Sequence, residues 1–250
     1  MILQRLATSI RNQDWFTVVI ETLIVVFGVF IGLQVNTWSG ARADRAAYAE
    51  ALVRFEAEID RNIAELERAV ADLDDSLPRV EAAIEMLRTC EDIEGAKAVI
   101  DDALRAARST VSIRLRRSSL DALTNDPVLL SQQTSEERER FSDLAFEFDL
   151  FEVEADWAEF HPLEIPIENL PVLAVGPPRP PREAVYAGRT YYFNKSYPVV
   201  LGVSVEEACE QGELIKALLS WHAWQNNLTP LSTNVVEQLQ TTKKLLEDRR

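Results

Sequence analysis

Residues 15–38 read WFTVVIETLIVVFGVFIGLQVNTW, an apolar run with a single charge, Glu21, inside it. Coiled as an α-helix the run measures roughly 35 Å at 1.5 Å per residue, the span of a hydrocarbon core of about 30 Å plus its interfaces. Trp15 and Trp38 close its two ends, the level at which amphipathic rings settle between lipid and water. A surface helix would keep one polar face, and this run is apolar nearly all round. We therefore expect a transmembrane helix at 15–38 behind a short tail at 1–14, with the lipid bilayer as first partner and Trp15 and Trp38 as interface anchors.

A cleaved signal peptide is the main rival reading, since Ala41-Arg42-Ala43 offers an A-x-A-like site and Arg5 and Arg11 a basic start. Signal cores run about 7–15 residues, and this one exceeds 20. Arginines nearly tie across the run, with Arg5 and Arg11 before it and Arg42, Arg45 and Arg54 after it. Long domains translocate largely regardless of such charges. The simplest topology is single-pass and N-in, with the C-terminal domain in the periplasm of a bacterial inner (cytoplasmic) membrane.

Within the run, Gly28 and Gly32 stand one turn apart as a GxxxG, and Glu21, Gly28, Gly32 and Asn36 fall on one stripe. Two readings stay open for it. The stripe is a helix-association face with Glu21 as its polar element, because flattened helices pack backbone to backbone. Alternatively Glu21, only six residues past Trp15, simply reaches toward the nearer headgroups. Residues 21–38 resemble the N-terminal signature of an uncharacterised family of bacterial single-pass membrane proteins: a Glu, an apolar run with a central Gly, then a Leu-Gln-x-Asn-x-Trp end. The matching positions are Glu21, Gly28, Leu33, Gln34, Asn36 and Trp38, while Thr37 and Ser39-Gly40 depart from the usual pattern. The resemblance covers residues 13–48 and implies a membrane-anchored, mostly helical protein. It carries no assigned activity.

Some 210 residues follow, enough for one sizeable soluble domain. The segment before Gly40 is neutral by count, so the whole net charge of −15 belongs to them. Such a surface repels phosphate backbones, which argues against nucleic acid as a partner. The fold class we expect is mainly α: the transmembrane helix continuing into a helical bundle or coiled-coil-like domain with little β. Tyr48, Leu52, Phe55, Ile59, Ile63, Leu66, Val70, Leu73 and Leu77 recur in steps of three and four, a heptad seam over 41–77. Gly40 is the one weak point between span and seam, so the two can form one rod. Leu77-Pro78 reads as a break, with new helices at 78–88 and 96–108. TVSIRLRR at 110–117 alternates as a strand would, or continues a helix. A short helix from Ser118 stops before Asp126-Pro127, and a long one fills about 135–160.

That makes 39–160 a helical domain. Seven of the eleven prolines lie between His161 and Pro181, so 161–185 is expected to be an extended connector. The remainder, 186–250, is expected to be a C-terminal helical segment packing on the first. In it the aromatics Tyr186, Tyr191, Tyr192, Phe193 and Tyr197 form a packed loop or hairpin, or line a ligand site. A capping pattern at Ser204 starts a helix to about Gln225, and another restarts after Asn226-Asn227.

Charge is segregated. Ala103–Leu120 holds Arg105, Arg108, Arg114, Arg116 and Arg117 and no acid, while 141–178 holds nine acids and no Lys or Arg. The basic stretch either binds an anionic ligand or headgroup, or pairs with the acidic helix. Cys90 and Cys209 sit in no metal-like spacing. In an oxidising compartment they form a disulfide closing a long loop, or else they are two buried thiols. No phosphate-binding loop, nucleophile elbow or zinc helix motif occurs. His161 sits at a helix end, and His222 reads as a packing residue on the same predicted helix as Cys209. No catalytic, metal or cofactor residue is singled out, and an enzyme is not expected. The expected role is an interaction, assembly or accessory subunit, a homo-oligomer or a companion of another membrane protein. The alternative is a periplasmic module that binds or senses a small molecule.

Overall fold

The computed structural model describes residues 15–90, 93–164, 166–186 and 189–249. The expected tail 1–14 and the side chain of the Trp15 anchor lie outside them. The protein is mainly helical, and one element dominates. Helix α1 runs unbroken for 75 residues, Trp15–Thr89, roughly 110 Å by helical rise. From residue 20 to residue 40 every position is exposed. Beyond that, Tyr48, Ala51, Phe55, Ile59, Leu66, Ala69, Leu73, Leu77, Val80, Ala83 and Leu87 form a buried stripe. One helix in the described residues is long and apolar enough to cross a membrane, by length and composition.

The break expected at Leu77-Pro78 is absent from α1, and the weak point at Gly40 does not interrupt it. Gly40 is helical, so span and seam form one rod. Pro78 also lies inside the helix, although a proline there forfeits a backbone bond at a cost of about 3 kcal/mol. Packing outweighs that cost, because Leu73, Leu77, Val80, Ala83 and Leu87 keep one stripe in the core across the proline. Next to it, Arg79 grips Asp102 through Nε (2.6 Å) and Nη2 (3.0 Å). Ser76 caps nothing; its hydroxyl donates to the Asp72 carbonyl.

Helix α2 (Ala96–Ala107) packs along the far part of α1. Residues 110–117 belong to neither a strand nor a helix. Short helices α3 (Ser118–Asn125) and α4 (Pro127–Gln132) follow, the second capped by Asp126, whose carboxylate accepts from Val128 N. Helix α5 (Ser135–Phe160) opens with a capping box between Thr134 and Glu137, which satisfies two otherwise orphaned donors reciprocally.

The proline-rich stretch is more structured than expected. It contains two 3-10 turns, His161–Leu163 and Ile167–Asn169, and strand β1 (Leu173–Val175). β1 pairs antiparallel with β4 (Val199–Leu201), Leu173 opposite Leu201. Between them, β2 (Arg182–Tyr186) and β3 (Arg189–Phe193) form a hairpin with Arg182 opposite Phe193. The boundary expected at 185/186 therefore falls inside a strand.

Helix α6 (Val205–Gln211) is capped by Ser204 and ends at Gly212, whose φ of +63° suits glycine. Helix α7 (Glu213–Asp248) then runs through both Asn226-Asn227 and Pro230. The expected turn fails because Leu214, Leu218, Trp221, Gln225, Leu228, Ser232, Val235, Leu239, Thr242 and Leu246 are one buried stripe. Its steps alternate four and three without a slip, and Pro230 stays on the exposed side. α7 packs on α1 and α5. Phe55 of α1 meets Phe141 of α5 edge-on at 5.4 Å, a favoured aromatic geometry.

Candidate interaction surface

Three buried polar side chains position the surface, and hydropathy periodicity alone does not reveal them. Asn62 of α1, 2% exposed, brackets the segment 110–117: its Nδ2 donates to Arg116 O (2.7 Å) and Arg116 N donates to its Oδ1 (2.8 Å). Gln225 of α7 does the same upstream, accepting from Val111 N (2.8 Å) while donating to Ala158 O of α5 (2.7 Å). Glu58 caps α3, accepting from the Ser118 hydroxyl and from Ser119 N and Leu120 N at 3.0–3.2 Å. A segment without a sheet partner must satisfy its backbone somewhere. These side chains stand in for the missing strand.

The strap so held delivers its arginines to α5. Arg117 reaches Asp149 at 2.6 Å, and Arg114 reaches Glu159 at 2.8 Å and Asp156 at 3.1 Å. Arg105 pairs within α2 to Asp102. Of the two expectations for the basic stretch, pairing with the acidic helix describes Arg114 and Arg117. The hollow beside them, lined by Arg54, Arg61, Arg116 and Arg117, already contains an anion of the chain's own, the Glu58 carboxylate.

Helix α5 carries two apolar stripes. Phe141, Leu144, Phe148, Phe151, Ala155 and Ala158 are buried. Phe146, Leu150, Val153, Trp157 and Phe160 are 49–62% exposed. The second set steps 4, 3, 4, 3 and falls within about 80° of arc, opposite the first, at ~100° per residue. Two opposed stripes cancel any net amphipathicity, which is why the remaining faces read from sequence as merely acidic. The exposed seam is roughly 21 Å long. It leaves on the order of 400–500 Å² of apolar surface in water, toward the upper end of what monomers expose. Its arginine-paired flank holds Asp149 and Asp156; the other flank holds Asp143, Glu147 and Glu154. Arg140, which feels the charges of Asp143 and Glu147 on that second flank, directs its guanidinium to Gln238 and Thr242 of α7.

At its distal end the seam continues into an aromatic cluster. Trp157 stacks on Trp224 of α7 at 6.1 Å, and His161 meets Trp224 at 4.7 Å. Beyond His161 lies a cleft of about 530 Å³ with Trp221, Lys216 and Glu168 in its wall. Of the two readings of the 186–197 aromatics, the hairpin is the one observed: Tyr191, Tyr192, Phe193 and Tyr197 are exposed and line neither the cleft nor the arginine hollow, while the Tyr186 side chain lies outside the described residues.

The expected association stripe is open. Glu21, Gly28, Gly32 and Asn36 are exposed on a continuous helix, and apart from the helix's own adjacent backbone no atom lies within 4 Å of where a Cβ on Gly28 or Gly32 would stand. Trp38 is exposed, with the Arg42 guanidinium 5.9 Å over its ring. The cysteines are brought together at the other end of α1. The Cys90 thiol lies 3.5 Å and the Cys209 thiol 2.9 Å from the same Leu87 carbonyl. Cys209 and His222 occupy different helices, not one, since Gly212 separates α6 from α7. His222 turns instead to Glu81 of α1 at 2.8 Å. Among the described residues no group of three or more His, Cys, Asp or Glu side chains is arranged to hold a metal ion.

No family model, no curated protein and no solved structure matches this chain.

Proposed function

We propose that this protein is a membrane-anchored interaction subunit: α1 fixes it in a bacterial inner membrane, N-in, and a periplasmic helical bundle displays the α5 seam to a partner. The observation that carries the reading is the second apolar stripe of α5, five large side chains in heptad steps, each about half exposed or more, with Trp157 leaning on Trp224 at the distal end. The occupant is an amphipathic helix of another membrane protein, apolar along one stripe and basic beside it. Charge decides against a second copy of α5. Self-pairing would bring the Asp143, Glu147 and Glu154 flanks of both copies beside a dry seam to which 141–178 contributes no Lys or Arg, and like charges across an interface cost several kcal/mol. Self-association, where it occurs, uses the open Gly28–Gly32 stripe instead, since a helix pair packs closely over glycines. The small-molecule reading is left with the His161–Trp221 cleft, the hairpin aromatics being in solvent.

A photo-crosslinking amino acid placed at Leu150 or Val153 of the full chain, in native membranes, tests this. The expected result is one discrete adduct at both seam positions, weakened by added salt and absent at Glu183 of the hairpin. Seam positions that label no more than Glu183 refute the reading.

A further inference from the structure

We infer that Cys90 and Cys209 are the two halves of an intramolecular disulfide that fastens the distal end of α1 to α6. Both sulfurs lie within 3.5 Å of one acceptor, the Leu87 carbonyl oxygen, although 118 residues of chain separate them in sequence. Two sulfurs at 3.5 Å and 2.9 Å from one oxygen are neighbours, so separation, the usual obstacle to bridging two cysteines, is largely removed. The backbone adds a second observation. Cys90 is the only residue other than glycine with positive φ among the described residues, at +56°. It ends α1 in the left-handed conformation, its N–H still bonded to Met86 O at 3.1 Å. Glycine is the common residue there, and a side chain costs about 1–2 kcal/mol. A cysteine in that strained place, aimed at another cysteine's acceptor, points to use of its sulfur.

The two thiols differ in access, which sets the order of events. Cys90 is exposed and Cys209 is partly covered. Burial, with Cys90 alongside, pushes the Cys209 thiol up to about 12. Cys90 is therefore the sulfur an oxidant meets first. Its thiolate attacks the disulfide of a thiol–disulfide oxidant, forming a mixed disulfide and releasing one oxidant thiolate. Cys209 then surrenders its proton and attacks the Cys90 sulfur, expelling the second thiolate. The chain loses two protons and two electrons; the oxidant disulfide gains them as two thiols. Ionisation of Cys209 limits closure, so closure quickens as pH rises toward 12.

The full chain, purified in detergent, is treated with glutathione disulfide at pH 8 and its mass and free thiols are read. The expected product is a monomer lighter by two hydrogens, with no thiol left for a maleimide tag and with the Cys90 and Cys209 peptides joined after proteolysis. The single variants C90S and C209S are expected to give no such link, and glutathione is expected to persist on Cys90 in C209S. Closure of the wild-type mixed disulfide is expected to run about tenfold faster at pH 8 than at pH 7. Wild-type chain that ends with glutathione on both cysteines, or as covalent dimers, overturns the inference, as does a chain that resists oxidation while folded. Because this readout uses neither membrane nor partner, its failure leaves the seam reading standing, and the reverse holds too.

Discussion

Replacing Asn62 by leucine removes the bracket between α1 and the arginine-bearing strap. Leucine is similar in size and suits the buried stripe around it, so the loss is one of hydrogen bonding more than of volume. Two backbone groups of Arg116 lose their partners. An orphaned buried polar group costs about 1–3 kcal/mol; strap groups partly reached by water fall at the low end, and the added apolar burial returns about 1 kcal/mol. The net expectation is a loss of about 2 kcal/mol, or a urea midpoint lower by roughly 0.7–1 M. Fluorescence of Trp157, Trp221 and Trp224 reads the transition in the detergent-solubilised chain. Asn62→Asp sharpens the test. The carboxylate still accepts from Arg116 N but faces the Arg116 carbonyl without a proton to offer, so its folded-state pKa rises above the unfolded one. The folded state then holds more protons between those two values, and stability falls as pH rises through that window. The Asp variant should therefore recover as pH is lowered from 7 to 5, while the Leu penalty stays flat. A Leu variant within about 0.5 kcal/mol of wild type, or an Asp variant indifferent to pH, refutes the bracket, since surface changes fall in that range.

Four further outcomes follow from the fold. Pro78→Ala restores a backbone donor within α1 and should raise stability by about 1–2 kcal/mol, the helix gain less the lost chain restriction; chemical denaturation reads it, and a loss would show the proline to be structurally required. Gly28→Leu with Gly32→Leu should lower self-association at least tenfold in an in-membrane reporter assay, since bulk there keeps backbones apart, whereas the same change at Val29 and Leu33 should not. Oxidised chain should melt about 5–15 °C above reduced chain, the 2–4 kcal/mol typical of a bridge closing a long loop, a difference that C90S erases. Burial, then the Glu137 carboxylate, push the Tyr48 phenol up to about 12. Between pH 10 and 12 the folded state thus holds the extra proton and stability falls as pH climbs; a Tyr48→Phe chain should show a flatter alkaline limb in calorimetry.

Much of the helical content is legible in the sequence: large apolar residues mark the Tyr48–Leu77 stripe of α1 and the buried face of the helix from about Ser135, and Asp126-Pro127 marks a stop. The apparent breaks at Pro78 and Asn226-Asn227 misled for one reason. A local breaker costs at most a few kcal/mol, and a stripe that packs on both sides of it returns more. In α7 the stripe was hidden because Gln225, Ser232 and Thr242 occupy core positions, which hydropathy counts as surface. The strap at 110–117 showed strand alternation without a strand's partner, because its ladder is built from Asn62 and Gln225, distant in sequence. The seam of α5 was readable in principle from the spacing of Phe146, Leu150, Val153, Trp157 and Phe160. The buried stripe from Phe141 to Ala155 accounts for the helix by itself and masks the second. The meeting of Cys90 with Cys209 is purely tertiary, and no spacing rule reaches it.

An axle without a joint transmits rotation. Since α1 passes from Gly28 to Leu87 with no swivel at Gly40 or Pro78, the compass bearing of the body is set at its apolar N-terminal end. Turning the glycine face by a given angle turns the row from Phe146 to Phe160 by the same angle. Whatever grips this shaft below thereby chooses which neighbour the body faces above.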